Sequence, residues 1–313
     1  MRALASRTLR ALSASIGVLT AGTACGGGSA SATESAIDTL SKIRQTGSIT
    51  LGNGDSSIPF VYYDDKKQPV GYTLDICYRI VDAIKAELGM PKLAIVHHPV
   101  NSQTRIPLVV GGTVDLECGS ATHNAEREKQ VDFAITHFVA SSRFVSRRSA
   151  NVNTLDDLRG KTVISTTGTT AMKRVAALNE EQHLGMTVLG AKLHTDAFEA
   201  VATGRAAAFF MDDILLYGLV ANAPDPSAWV ISGEPLTVEP YGIMMRKGDV
   251  ALKKVVDGAI RTLYQSGEIR AIYRKWFLQP TPPRGINLAV PMSAALEKVV
   301  ARPIDSADPR DYQ

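Results

Sequence analysis

Gly112-Thr-Val-Asp-Leu-Glu-Cys-Gly-Ser-Ala-Thr-His-Asn-Ala-Glu-Arg127 is the stretch from which the fold is read. Its first five residues are a short run that reads as a buried strand. Just past the strand end come hydroxyls at Ser120 and Thr122 and a guanidinium at Arg127. In an α/β fold, ligands sit in the crevice beyond the carboxyl ends of the strands. An arginine is planar and permanently charged, and it grips a carboxylate through two parallel hydrogen bonds. The hydroxyls complete a carboxylate shell or accept a bond from an ammonium. The plain alternative is a solvated arginine in a strand-to-helix loop.

Strands and helices alternate outward from this stretch. Upstream, Ser48-Ile-Thr-Leu-Gly52 reads as a strand, and Asp64-Asp-Lys-Lys67 as a polar hairpin tip. Leu74, Cys77, Val81, Ile84 and Leu88 recur at three- and four-residue spacing, which is one apolar helix face. Gly89 and Pro91 stop that helix, and Leu93–His97 is the next strand. A second β/α series begins near Thr154, with strands at Thr162–Ser165, Met186–Leu189 and Ala206–Met211. Amphipathic helices follow over Ala251–Gln265 and Glu268–Phe277 before a Pro-rich break at Gln279–Pro283. The alternation predicts an α/β fold of mostly parallel sheets with helices on both faces.

The bulk numbers permit this and exclude other classes. At 313 residues and 45% hydrophobic, the chain is long enough for two domains with cores of their own. Arg2, Arg7 and Arg10 precede an uncharged small-residue run, Ala11–Ala24, which is the pattern of an export signal. Gly22-Thr-Ala-Cys25 resembles a bacterial lipobox, with Gly22 where leucine is usual and a Gly/Ser tether behind it. Cleavage after Ala30-Ser-Ala32 is the alternative to lipidation at Cys25. Three of the 34 basic residues and no acid lie in that segment, leaving 31 bases against 31 acids. The basic balance therefore belongs to the signal, and no nucleic-acid partner is expected. Export permits a disulfide between Cys77 and Cys118, but spacing alone does not decide between a bridge and two buried thiols. The histidines are scattered apart from His97-His98, so neither a metal nor a cofactor is expected.

The second series offers complementary groups. Thr166-Thr-Gly-Thr-Thr170 sets hydroxyls at a helix start, where free N–H groups and the helix dipole suit an anion. Ordinary threonine capping is the alternative. Asp212 ends an apolar strand, where a carboxylate can pair an ammonium, while Asp213 is the better-placed helix cap. A zwitterion needs both kinds of group, and a cleft between two domains lets both halves close on one small ligand.

At this point the chain resembles the solute-binding proteins of bacterial ABC transporters for polar amino acids, in particular their glutamate/aspartate branch. The resemblance covers about residues 38–300. It is carried by Ser56-Ser-Ile-Pro-Phe60, Ser102-Gln-Thr-Arg-Ile-Pro107, Glu117-Cys-Gly-Ser120, Leu178-Asn-Glu-Glu-Gln182, Met211-Asp-Asp213 and Lys275-Trp-Phe277. It implies the two-lobed periplasmic binding protein type II fold, with crossings near Val139–Phe144 and Leu236–Tyr241. Lobe 1 is then 38–140 plus 241–285, lobe 2 is 141–240, and 286–313 is a tail packing on lobe 1, after a signal and linker segment at 1–32. It also implies that Arg127, Thr122 and Thr170 hold the ligand α-carboxylate, that Asp212 and Ser120 serve the ammonium, and that Ser102, Arg105 and His194 meet a side-chain carboxylate. That branch usually carries an arginine where this chain has Gly54. A charge-assisted hydrogen bond is worth roughly 1.5–3 kcal/mol, about one to two decades of affinity. The expected ligand is therefore glutamate or aspartate, with glutamine or asparagine as the alternative.

The resemblance further implies a monomeric receptor, exported to the periplasm or the outer face of the membrane, that delivers an amino acid to ABC permease transmembrane subunits without chemistry. Two other functions compete. An exported dehydratase on this scaffold would need a general acid or base, for which His194 and Glu117 are the candidates. A sensor component would report the ligand to a signalling protein instead.

Overall fold

The computed structural model describes residues 38–54 and 56–313. The expected export signal, Cys25 and nearly all of the expected linker lie outside the described residues. All the described residues fall within one unit, Ala36–Gln313.

Two five-stranded sheets organise that unit. The first runs in the order Ala94–Pro99, Ser48–Asn53, Leu116–Glu117, Met244–Arg246, Val131–Phe133. The second runs Thr187–Ala191, Thr162–Thr166, Ala208–Asp212, Ser142–Arg147, Trp229–Ser232. In each, the first three strands are parallel and the remaining pairings antiparallel. The antiparallel strands have a common origin. Ser142–Arg147 and Met244–Arg246 each follow directly on a crossing between the sheets. The crossings, Phe138–Ala140 and Glu239–Tyr241, pair antiparallel with Val139 opposite Pro240. The fold is thus two-lobed α/β with two adjacent crossovers.

The helix Tyr72–Leu88 buries Leu74, Cys77, Val81 and Ile84 and ends on Gly89 at φ 64°, as the apolar spacing and the glycine predict. It packs on Val250–Ser266 and Glu268–Phe277. These helices meet the crossings in an aromatic cluster. Phe138 lies 5.3 Å from Phe277 and 4.9 Å from Phe60, and Phe60 lies 5.2 Å from Tyr241. Such ring pairs add about 0.5–1.5 kcal/mol each beyond burial, which fixes the root of both crossings firmly to the first lobe.

Cys77 and Cys118 are bridged, joining that helix to the loop after Leu116–Glu117. In the tail, Ala294–Ala301 buries Leu296, Val299 and Val300. Thr136 donates its N–H to the Ile304 carbonyl and hydrogen-bonds Tyr312, so the tail is held beside the first crossing. Among the described residues no helix is long and apolar enough to cross a membrane.

Candidate functional site

The site forms where the carboxyl ends of the two sheets face one another. Asn124 caps the short helix Ala125–Glu128 by accepting from the Arg127 N–H at 2.9 Å, which turns Arg127 into the cleft. Its Nη1 donates to the Thr122 carbonyl at 2.7 Å, and its Nη2 crosses to the Gly168 carbonyl at 3.3 Å. Arg105 opens the helix Arg105–Val110 and is buried, as are Ser120, Thr122, Arg127, His194 and Asp212. Ser102, Arg105, Ser120, Thr122, Thr170, His194 and Asp212 line one inner chamber. Arg127, beside it, lines the outer groove of ≈ 640 Å³ at the cleft mouth.

The lobes are closed on each other. Thr122 and Thr170 hydroxyls stand 3.4 Å apart, and Lys173 reaches Glu126 at 2.5 Å. Gly168, at φ +84°, lies so close that a Cβ there would meet the Ser102 carbonyl oxygen at 2.7 Å. The inner chambers hold only ≈ 20 and ≈ 10 Å³, about the room of a single water or less. An amino acid therefore enters only when the lobes part.

The second-lobe groups are held from behind. Thr169 caps the helix Thr170–Glu181 by accepting from the Met172 N–H at 3.0 Å, which leaves the Thr170 hydroxyl to donate to Glu239 at 2.8 Å. His194 shares a 2.8 Å hydrogen bond from Nδ1 with Thr166. It begins the helix His194–Ala202, with Leu193 in the cap position and no side-chain cap bond. Asp212, and not Asp213 as expected, occupies the cap position of the helix Asp213–Ala221, without a side-chain cap bond, while Asp213 is the first helical residue and accepts from the Ile214 N–H at 2.7 Å and the Ser141 N–H at 3.2 Å. Asp212 is nonetheless engaged. It accepts from the Ser142 hydroxyl at 3.1 Å and the Tyr241 hydroxyl at 2.5 Å.

Burial dominates the electrostatics. It pushes the Arg127 guanidinium down to about 10, with Arg105 adding repulsion. It pushes His194 down to about 4, again helped by Arg105, so the imidazole is neutral near pH 7. Burial, with Glu239 second, pushes Asp212 up to about 7.

The sequence reading singled out Glu117 only as a candidate acid or base, and it passed over Glu239, Tyr241 and Lys192. Glu117 is buried, with Oε1 4.0 Å from Arg105 Nη1. Arg105 thus lines the chamber and faces a first-lobe carboxylate at once. Gly54 lines the same chamber as Lys192, which enters from the second lobe. A Cβ at Gly54 would meet nothing nearer than the Val100 carbonyl at 3.7 Å, so the position has space. No group of residues that could hold a metal occurs among the described residues.

Two α/β lobes joined by paired crossings, with opposed cations and carboxylates in a closable cleft, define the periplasmic binding proteins of type II. Solved structures agree. An ancestral arginine-binding protein bound to arginine superposes with a TM-score of 0.67 at 27% identity, over 74% of this chain and 98% of that one. Residues 49–279 match the bacterial extracellular solute-binding proteins, family 3, and the chain belongs to that family. It is 50% identical over 270 residues to the L-glutamate/L-aspartate-binding protein of Pseudomonas aeruginosa, covering 86% of this chain and 89% of the relative. It is 41% identical to the glutamate/aspartate import solute-binding protein of Escherichia coli, over 88% and 91% of the two chains. These relatives are solute-binding proteins and not enzymes, and this chain is likewise a substrate-binding receptor.

Proposed function

We propose that this receptor binds glutamate and aspartate in the interlobe cleft and delivers them to the transmembrane subunits of an ABC importer, as an exported monomer. The observation that carries the reading is that Arg105 and Asp212, from opposite lobes, line one small closed chamber, with Arg127 beside it in the adjoining groove. Two cations suit two carboxylates and one carboxylate suits an ammonium. Arg127 with Thr122 and Thr170 would hold the α-carboxylate, and Asp212 with Ser120 the ammonium. Arg105, Ser102 and His194 would take the side-chain carboxylate. Closure follows from differential affinity, because only the closed state lets both lobes touch the ligand. The names of the relatives support the same ligands.

The sheet memberships support a division into lobe 1 at 38–140 plus 241–285 and lobe 2 at 141–240, with 286–313 as a tail on lobe 1. Gly54 favours a second reading, an amide ligand, because no side-chain cation stands at that position. Lys192 on the same chamber favours the acidic ligand.

Calorimetric titration with glutamate, aspartate, glutamine and asparagine, on protein refolded to strip retained ligand, tests the proposal. Tight binding of the two acids, weakened at least tenfold by Arg127→Ala, is expected. Binding of the amides alone would replace the proposal by the second reading.

A further inference from the structure

Glu117 is a carboxylate placed where a second carboxylate is to bind. It ends the short strand Leu116–Glu117 and is almost wholly buried. A Cβ at Gly119 would lie 2.3 Å from Glu117 Oε1, so only a glycine two residues on lets the carboxylate fold back beside the chamber. Its Oε2 has no hydrogen-bond partner, and neither has the Nε of Arg105, the cation 4.0 Å away. This pair faces itself loosely and stops short of a bidentate bridge. The charged and titratable groups around Glu117 are Arg105, Arg127 and, across the chamber, Lys192 and His194.

We propose that Glu117 takes up a proton from solvent when a dicarboxylic amino acid fills the cleft, and that this uptake lets the site admit a second carboxylate. The inference rests on the reading of the cleft as a glutamate/aspartate site. Burial already raises Glu117, and Arg105 and Arg127 are the charges that oppose the rise. In the complex both guanidinia are turned to the ligand's carboxylates. Glu117 then stands buried beside a new negative charge, with its compensation shared out. Protonation removes the repulsion and turns the orphaned oxygen into a donor. An amide ligand leaves Arg105 to Glu117 and draws no such proton, so Glu117 becomes a group that reads the ligand's charge.

Titration calorimetry with glutamate, in buffers of different ionisation enthalpy near pH 7, counts the protons. Asp212 meets the ammonium in both proteins, so its contribution cancels between native protein and Glu117→Gln. The native protein is expected to take up about one proton more per glutamate than the variant, with its affinity relative to the variant's falling up to about tenfold per pH unit as pH rises through the transition. Equal counts, with an uptake that persists in Glu117→Gln or vanishes only in His194→Gln, would overturn the proposal. Should Glu117→Gln fail to fold or bind, infrared difference spectra of native protein with ¹³C-labelled glutamate decide. A new protonated-carboxyl band from the protein supports the proposal, and its absence overturns it. Failure of native protein to bind either acid would instead sink the functional reading itself, and this inference with it.

Discussion

Asp212 is the residue at which ligand and proton compete most directly. It is held up to about 7 chiefly by burial, then by Glu239, and it accepts hydrogen bonds from Ser142 and Tyr241. Because its folded value lies above the unfolded one near 3.8, the native state carries the extra proton between those values. That contribution to stability is present at low pH and declines as pH rises through the folded value. An ammonium beside the carboxylate favours the charged form, so binding releases this proton. Affinity for an amino acid with an uncharged side chain is therefore expected to rise with pH from 6 to 8, by less than tenfold per unit. A flat profile in calorimetry would show that Asp212 is not the ammonium's partner. Residue type and place at a strand end made Asp212, Arg127 and Thr122 legible in the sequence. Tyr241 and Glu239 were not legible, because their bonds to Asp212 and Thr170 span 29 and 69 residues.

At the scale of elements, the bridge between the helix Tyr72–Leu88 and the loop behind Glu117 matters most. It closes 41 residues, for which the chain-entropy argument gives about 4 kcal/mol. Reduction, or Cys77→Ala with Cys118→Ala, is expected to lower the thermal midpoint by several degrees, about 2–4 °C per kcal/mol. Glutamate affinity should fall as well, because Cys118 lies between Glu117 and Ser120. An unchanged midpoint in differential scanning calorimetry would contradict this. Apolar periodicity had outlined the helix and its glycine stop. Pairing of the cysteines was not legible, since it depends on how a helix lies over a sheet and not on spacing. The single reversed strand in each sheet, Met244–Arg246 in one and Ser142–Arg147 in the other, was also hidden. It arises from the crossings, and local pattern carries no record of which sheet a strand joins.

For the molecule as a whole, closure is the functional coordinate, and Gly168 is one of its gauges. Any side chain there meets the backbone of Ser102 and Gln103 only when the lobes are shut. Gly168→Ala is expected to weaken glutamate binding by tenfold or more and to leave the ligand-bound form extended in small-angle scattering. Full closure of that variant would contradict the contact. The Lys173–Glu126 pair also bridges the lobes, but both side chains are largely exposed. Such pairs are worth about 0–1 kcal/mol, so Lys173→Ala should shift affinity fivefold at most.

The two crossings have one more consequence. Ser142 donates its N–H to the Thr237 hydroxyl at 3.0 Å, and Leu236 donates its N–H to the Ser142 carbonyl at 3.0 Å. The chain thus enters and leaves the second lobe through a single doorway. That makes the lobe a cassette, exchangeable between relatives at one seam with the rest of the chain untouched. A chimera joined there would inherit Thr170, His194 and Asp212 from one parent and Arg105, Glu117 and Arg127 from the other. Ligand preference would be assembled by recombination, half a pocket at a time.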